Sequence, residues 1–498
     1  MIAPASKAEG EAFELWKRLR PDAAYVAGIP ETVGRFFVPT TANVRRAREQ
    51  IGKVRRSTKD ATVRKFLASL DADLTLPEPS RLPETMVASL FGYMIKEGVD
   101  ARHMRSLAIE GAKALDANRR RFAGKRWSPG MRALIQLSAS GLTEIVDIVE
   151  KQLQLSSGGA RTLEAMVTLR KALDRYRAAF ALDGFRPQAP FPETYEFLKA
   201  HGAELGRART YPRALRDLWD YTETPRQVES AGLRMMRREL PRFRAVTVAL
   251  AGALHCDPTA EAVVNALRAR AGLRPDQVLP FLNAVRDPCR RVADKLVVAI
   301  NPDYTVLLIE TPPYFVNTTP SGAAYGIDTL TDRSKEVFMA TTDERSAARP
   351  PPGDLLSLLI HEEYGHCVHG SNSAHAFRGR PTLLDLLGSS FESVSEGIAF
   401  QRELEFVPVI NGIASGRYDG PEERAFAEAL EGWGGITTVA RQYEFLTYTW
   451  RMARFLRVIG DARINSGKQD IIELVNWAQK ATGLEKATIY YNVFPAHQ

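Results

Sequence analysis

The chain has 498 residues, more than the roughly 250–300 at which one apolar core usually stops growing, so two lobes or more are expected. A quarter of the residues are charged and the net charge is only +8, a balance that argues against nucleic acid as the main partner. Three scattered cysteines, Cys256, Cys289 and Cys367, argue against a disulfide framework and suit a reducing cytoplasm.

At the start, Phe13, Leu15, Trp16 and Leu19 are interspersed with charges in a helical pattern and form no signal-peptide core. No later run reaches the roughly 20 apolar residues of a membrane span, so a soluble cytoplasmic protein without a membrane partner is expected. The pattern is helical nearly throughout to about residue 290. Leu142, Ile145, Val146, Val149 and Leu153 fall on one helical face, and Thr224, Pro225 and Gln227 read as a cap, a first-turn proline and a capping-box glutamine. A proline-rich break over Phe185 to Pro192 sets a soft boundary, giving an N-terminal helical lobe (1–190) and a catalytic region (191–498). Arginines at 119–121 and at 234, 237, 238, 242 and 244 read as solvated helix faces.

Between Lys295 and Asp343 the pattern changes. Leu296 to Ile300, Val306 to Ile309 and Val337 to Ala340 read as strands of a small sheet (about 295–343), separated by Pro/Gly/Ser/Thr-rich loops. The last strand, Glu336 to Thr342, is the candidate edge on which an extended peptide could pair.

The metal-site helices (354–405) follow. Behind three prolines and Gly353, Asp354 is placed to cap an apolar helix, Leu355 to Ile360, which ends in His361-Glu362-x-x-x-His366. With His369 and His375, four of the eight histidines fall in fifteen residues. Two neutral imidazoles and a carboxylate make a Zn²⁺ site with an open position for a water, and the neighbouring Glu362 is the candidate general base. The usual zinc spacing on a helix is four, because residues four apart share a face. A spacing of five turns the second imidazole about 140° away on a regular α-helix, so local unwinding or a π-bulge is required, with Gly365 a plausible place for it. The third ligand must come from another element. Glu392 and Glu396, four apart, share one face of a second predicted helix, and either could ligate while the other supports a histidine. Each also has a structural explanation: Ser389 and Glu392 fit a capping box, and Glu396 could pair with Arg402.

His361 to Gly370 resembles the HEFGHALHG-type motif of thimet-oligopeptidase-like zinc peptidases with one residue inserted, and the insertion resembles the HExxGH motif of dipeptidyl peptidase III. Both are gluzincins, in which the third ligand is a downstream glutamate. Glu392 with Ser395 looks like their E-x-x-S ligand motif and is the leading third ligand. Glu396-Gly397-Ile398-Ala399-Phe400 with Glu403 is similar to the EGWALYxE motif of an uncharacterised bacterial HExxPGH family and to the NEGFA motif of aminopeptidases, where the position of Glu396 ligates. The resemblance implies a mainly α protein with a small β-sheet, two helical lobes around a deep cleft, one zinc ion and a short peptide as substrate. It also implies an oxyanion donor from the C-terminal helices. Tyr443 is the first choice, ahead of Tyr448, Tyr490 and Tyr491, and Tyr325 is a further cleft residue. Two other readings use the same residues: a helical binding protein with a degenerate metal site, and a zinc hydrolase of a non-peptide amide or ester.

Overall fold

The computed structural model describes residues 4–76, 78–155, 159–312, 321–331, 334–342, 349–383 and 392–494. It is mainly helical with one three-stranded sheet. The predicted stripe on the helix Pro129–Leu155 is buried along its length, and the helix Pro225–Leu254 starts at the expected capping box on Thr224 and Gln227. The largest apolar core draws on both sides of residue 190, from Tyr93 and Leu134 to Phe445 and Leu456. A second core surrounds the histidine segment, and a third unites the N-terminal helices through Phe13, Val63 and Phe66. Among the described residues no helix is long and apolar enough to cross a membrane.

The long helix Gly435–Asn465 runs through the middle of the molecule and is bolted to Pro225–Leu254 by two buried ion pairs. Arg451 grips Glu239 with two hydrogen bonds of 2.5 and 2.8 Å, and Arg463 reaches Glu229 at 2.7 Å. Such pairs contribute little net energy, but an orphaned partner would be costly, so they fix the register of the two helices.

The sheet departs from expectation in three places. Residues 297–300 form no strand; the helix Pro275–Leu296 runs into them instead. The strands are β1 (Val306–Glu310), β2 (Gly322–Ile327) and β3 (Lys335–Ala340). β2 falls in a stretch expected as loop, since its Gly/Ala-rich sequence holds few strand formers. Close packing explains that composition: a Cβ on Gly322 would lie 2.8 Å from the Met339 carbonyl oxygen. Finally, β3 is central, parallel to β1 and antiparallel to β2, so it is not the edge strand expected and has no free edge on which a peptide could pair.

Glu336 on β3 is a carboxyl in an apolar place. It is 3% exposed, its Oε1 lacks a hydrogen-bond partner, and a Cβ on Gly370 would lie 2.5 Å from that oxygen. Burial pushes its pKa from 4.5 up to about 8. Between those values the folded state holds a proton that the unfolded chain has released, so this group's contribution is whole below pH 4.5 and lost as the pH rises to about 8. Glu336→Gln is therefore expected to stabilise the protein at neutral pH, by on the order of 1–3 kcal/mol. Urea unfolding from pH 5 to 8 should show the gain growing with pH; a constant difference would contradict it.

Candidate metal centre

The apolar helix forms as Pro352–Leu359, with Leu355, Leu356 and Leu359 in the second core. Asp354 does not cap it. Gln442 takes the Gly353 N–H at 3.0 Å, and Asp354 lies beside the Trp450 side chain. The helix continues as a π-helix over Ile360–Cys367 before resuming as Val368–Ala376. The spacing of five therefore coincides with an i→i+5 backbone, which brings residues five apart much nearer to one face than a regular α-helix does. His361 and His366 face each other across it with their Nε2 atoms 3.2 Å apart.

The far nitrogen of each ring is occupied. His361 Nδ1 lies 2.7 Å from Glu403 Oε1, and His366 Nδ1 lies 2.7 Å from Ser395 Oγ. Both partners sit on the helix Glu392–Ala414, which also carries Glu396. The Glu396 carboxylate completes the triangle, 3.8 Å from His361 Nε2 and 3.6 Å from His366 Nε2. A tetrahedral ion with ligand bonds of about 2.0–2.1 Å separates its ligand atoms by about 3.3 Å. The imidazole edge of 3.2 Å meets that requirement, and the carboxylate spans the two rings with Oε2 nearer His361 at 3.8 Å and Oε1 nearer His366 at 3.6 Å, a few tenths of an ångström wider than a bound ion would set. Among the described residues this is the one group of three or more His, Cys, Asp or Glu side chains able to hold a metal ion.

The carboxylates and burial set the electrostatics of the site. Burial opposes a charge on His361, but the Glu403 hydrogen bond and the surrounding carboxylates outweigh it and push its pKa up to about 9. Burial and the neighbouring His361 push His366 down to about 4. Glu362 is 7% exposed, and burial raises its carboxyl to about 7, against the effect of a hydrogen bond from the Ala324 N–H on β2. That contact sets the edge strand β2 against the candidate base.

Gly365 allows the two metal-site elements to meet. A Cβ there would lie 2.5 Å from both Cα and Cβ of Ala399, a backbone that cannot swing aside. Gly365→Ala is expected to push the Glu396 helix away and weaken metal binding by about tenfold or more, comparable to the loss of an outer-shell partner. Unchanged zinc affinity in that variant would show that the contact is slack.

Several sequence expectations are corrected. Tyr443 is fully buried and its hydroxyl donates to the Glu403 carbonyl oxygen at 2.6 Å, so it braces the residue that holds His361 instead of lining an open cleft. Tyr325 turns toward the helix Arg81–Glu97, with its hydroxyl over Gly92 and its ring edge-on to Phe91. Tyr490 packs on Phe191 and Phe494. Neither His369 nor His375 joins the triangle. Arg402 bonds Glu405, leaving Glu396 to the histidines. The Glu392 side chain and Ser389 lie outside the described residues. Sequence reasoning assigned no role to Glu403, although its spacing of seven from Glu396 places both on one helical face.

No family profile matches the chain, and no curated protein is recognisably similar in sequence. Solved structures that share the fold include two bacterial proteins. One is “the putative lipoprotein from Colwellia psychrerythraea”, at 12% identity and a TM-score of 0.60, covering 99% of this chain and 90% of that one. The other is “a putative lipoprotein of unknown function from Shewanella oneidensis”, at 15% identity and a TM-score of 0.61, covering 98% and 91% respectively. At such identities the likeness is one of fold alone, and it extends over nearly the whole chain.

Proposed function

We propose that the chain is a zinc-dependent metallopeptidase acting on short peptides, with water as the nucleophile and Glu362 as general base. The observation that carries this reading is the convergence of His361 Nε2, His366 Nε2 and the Glu396 carboxylate, with Glu362 next in sequence. These three side chains would hold one Zn²⁺, which when bound polarises a substrate carbonyl and lowers the pKa of a water. Glu403 and Ser395 hold both imidazoles by Nδ1, so each Nε2 stays aimed at the shared point. Glu362, raised toward neutrality by burial, takes the proton of the attacking water and hands it to the leaving amine.

The edge strand supports a peptide as substrate. β2 ends the sheet and sends the Ala324 N–H to Glu362. An extended backbone added along that edge would be delivered to the base with little dependence on its side chains.

The test is hydrolysis of a mixed short-peptide pool, followed by mass spectrometry, using protein purified without chelator. Cleavage that stops on chelation and returns with zinc is expected. Cleavage of esters or small amides with every peptide intact would replace the peptidase by another hydrolase. Peptide binding by zinc-loaded protein without turnover would make it a binding protein.

A further inference from the structure

Three arginines follow one another along the helix Gly435–Asn465 near the metal centre, and two of them are spent. Arg451 is committed to Glu239 and to the Phe400 carbonyl oxygen. Arg457 donates to the Asn492 carbonyl oxygen at 2.8 Å and to its Oδ1 at 3.1 Å. Arg454 differs. Among the described residues no ion pair holds it, its Nε is buried without a hydrogen-bond partner, and its one hydrogen bond, to Asn492 Oδ1, is long at 3.4 Å.

Its position is well defined nonetheless. The guanidinium stacks over Phe400 with Cζ 4.0 Å from the ring centroid, and over Trp450 at 5.0 Å. Phe400 also touches the candidate metal centre, its ring 4.9 Å from the ring of His361. Arg454 also feels the charges of Glu362, Glu396 and Glu403. Burial lowers its pKa to about 10, so it stays cationic at neutral pH. A desolvated cation lacking a counter-ion is expensive to keep in a fold. Held against two aromatic rings, its planar fork is restrained for pairing with a carboxylate brought from outside.

We propose that Arg454 anchors the free C-terminal carboxylate of the substrate, which makes the enzyme a carboxypeptidase. The inference rests on the peptidase reading. The Phe400 ring, 4.0 Å from the guanidinium and 4.9 Å from the His361 ring, keeps the cation within about 9 Å of that ligand, the order of distance that one extended residue of about 3.3–3.6 Å and a charge-assisted hydrogen bond of about 2.8 Å can span from a carbonyl held at the site. In the reaction the terminal peptide C–N bond breaks. Water supplies the hydroxyl to the acyl carbon and a proton to the amine, and one amino acid leaves.

The experiment uses the Glu362→Gln variant, which should bind substrate without consuming it, and pairs of N-acetyl tripeptides ending in a free acid or an amide. Calorimetry on zinc-loaded and metal-free protein should show the acid binding about tenfold to a hundredfold more tightly in both. A preference seen only with zinc would mean that the carboxylate binds the metal, and overturns the anchor. Adding Arg454→Gln should erase the preference, and Arg454→Lys should restore part of it. If the Arg454 variants fail to fold, the acid–amide comparison in one protein still decides. Equal binding of acid and amide overturns the anchor and leaves the peptidase reading intact. Binding of neither peptide overturns both. With the wild type, release of single C-terminal residues is expected, and internal cleavage products would contradict the proposal.

Discussion

Zinc is expected to be lost from Glu396→Ala and retained by Glu392→Ala. The two acids are one helical turn apart, and sequence alone cannot rank them because residues four apart share a face. The packing around Glu396 is what favours it in this proposal. Gly365 and Ala399 bring the two helices together three residues beyond Glu396, and the Glu396 oxygens then lie 3.6 and 3.8 Å from the two imidazole nitrogens. Removing one of three protein ligands should cost more than the about 10–100-fold in affinity that follows disturbance of an outer-shell partner. Ser395→Ala and Glu403→Ala belong to that milder class, since each releases only the far nitrogen of one imidazole. Elemental analysis of identically purified proteins separates the cases. Zinc kept by Glu396→Ala and lost by Glu392→Ala would return the ligand role to Glu392 and require the helix to rotate from the arrangement described above.

What was legible in the sequence was mostly local. Thr224, Pro225 and Gln227 announce a helix start by their own hydrogen-bonding capacity, and the stripe from Leu142 to Leu153 needs only a period to be read. The five-residue histidine spacing also proved informative, because it demands an irregular backbone and Ile360–Cys367 supplies one. What escaped depends on distant partners. β2 is a strand because β3 pairs with it and small residues let the layers approach, not because Gly322 to Ile327 favour extension. Tyr443 has the composition of an oxyanion donor and the surroundings of a core residue, and only the carbonyl of Glu403 above its hydroxyl tells them apart. Arg454 was lost among many arginines. Its distinction is a missing partner, which no single sequence displays.

Glu362→Gln is expected to keep zinc and lose turnover by about 10²–10⁴-fold, the range that a positioned general base supplies. The amide is nearly isosteric and its oxygen can still accept the Ala324 N–H, so the substitution removes the proton-accepting function and little else. Glu362 is not one of the three converging ligands, and metal content should therefore match the wild type. Stability should not fall either. Burial disfavours the ionised carboxylate there, so a neutral side chain spares the fold a cost that the wild type bears as the pH rises above the ordinary carboxyl range. Inactivity combined with full zinc and an unchanged or higher melting temperature would then belong to the chemical step. In steady-state terms the loss should appear in kcat with KM little altered, because the group acts on a proton in flight and not on the bound ground state. Full activity would remove Glu362 from the mechanism, and loss of zinc along with activity would place it among the ligands.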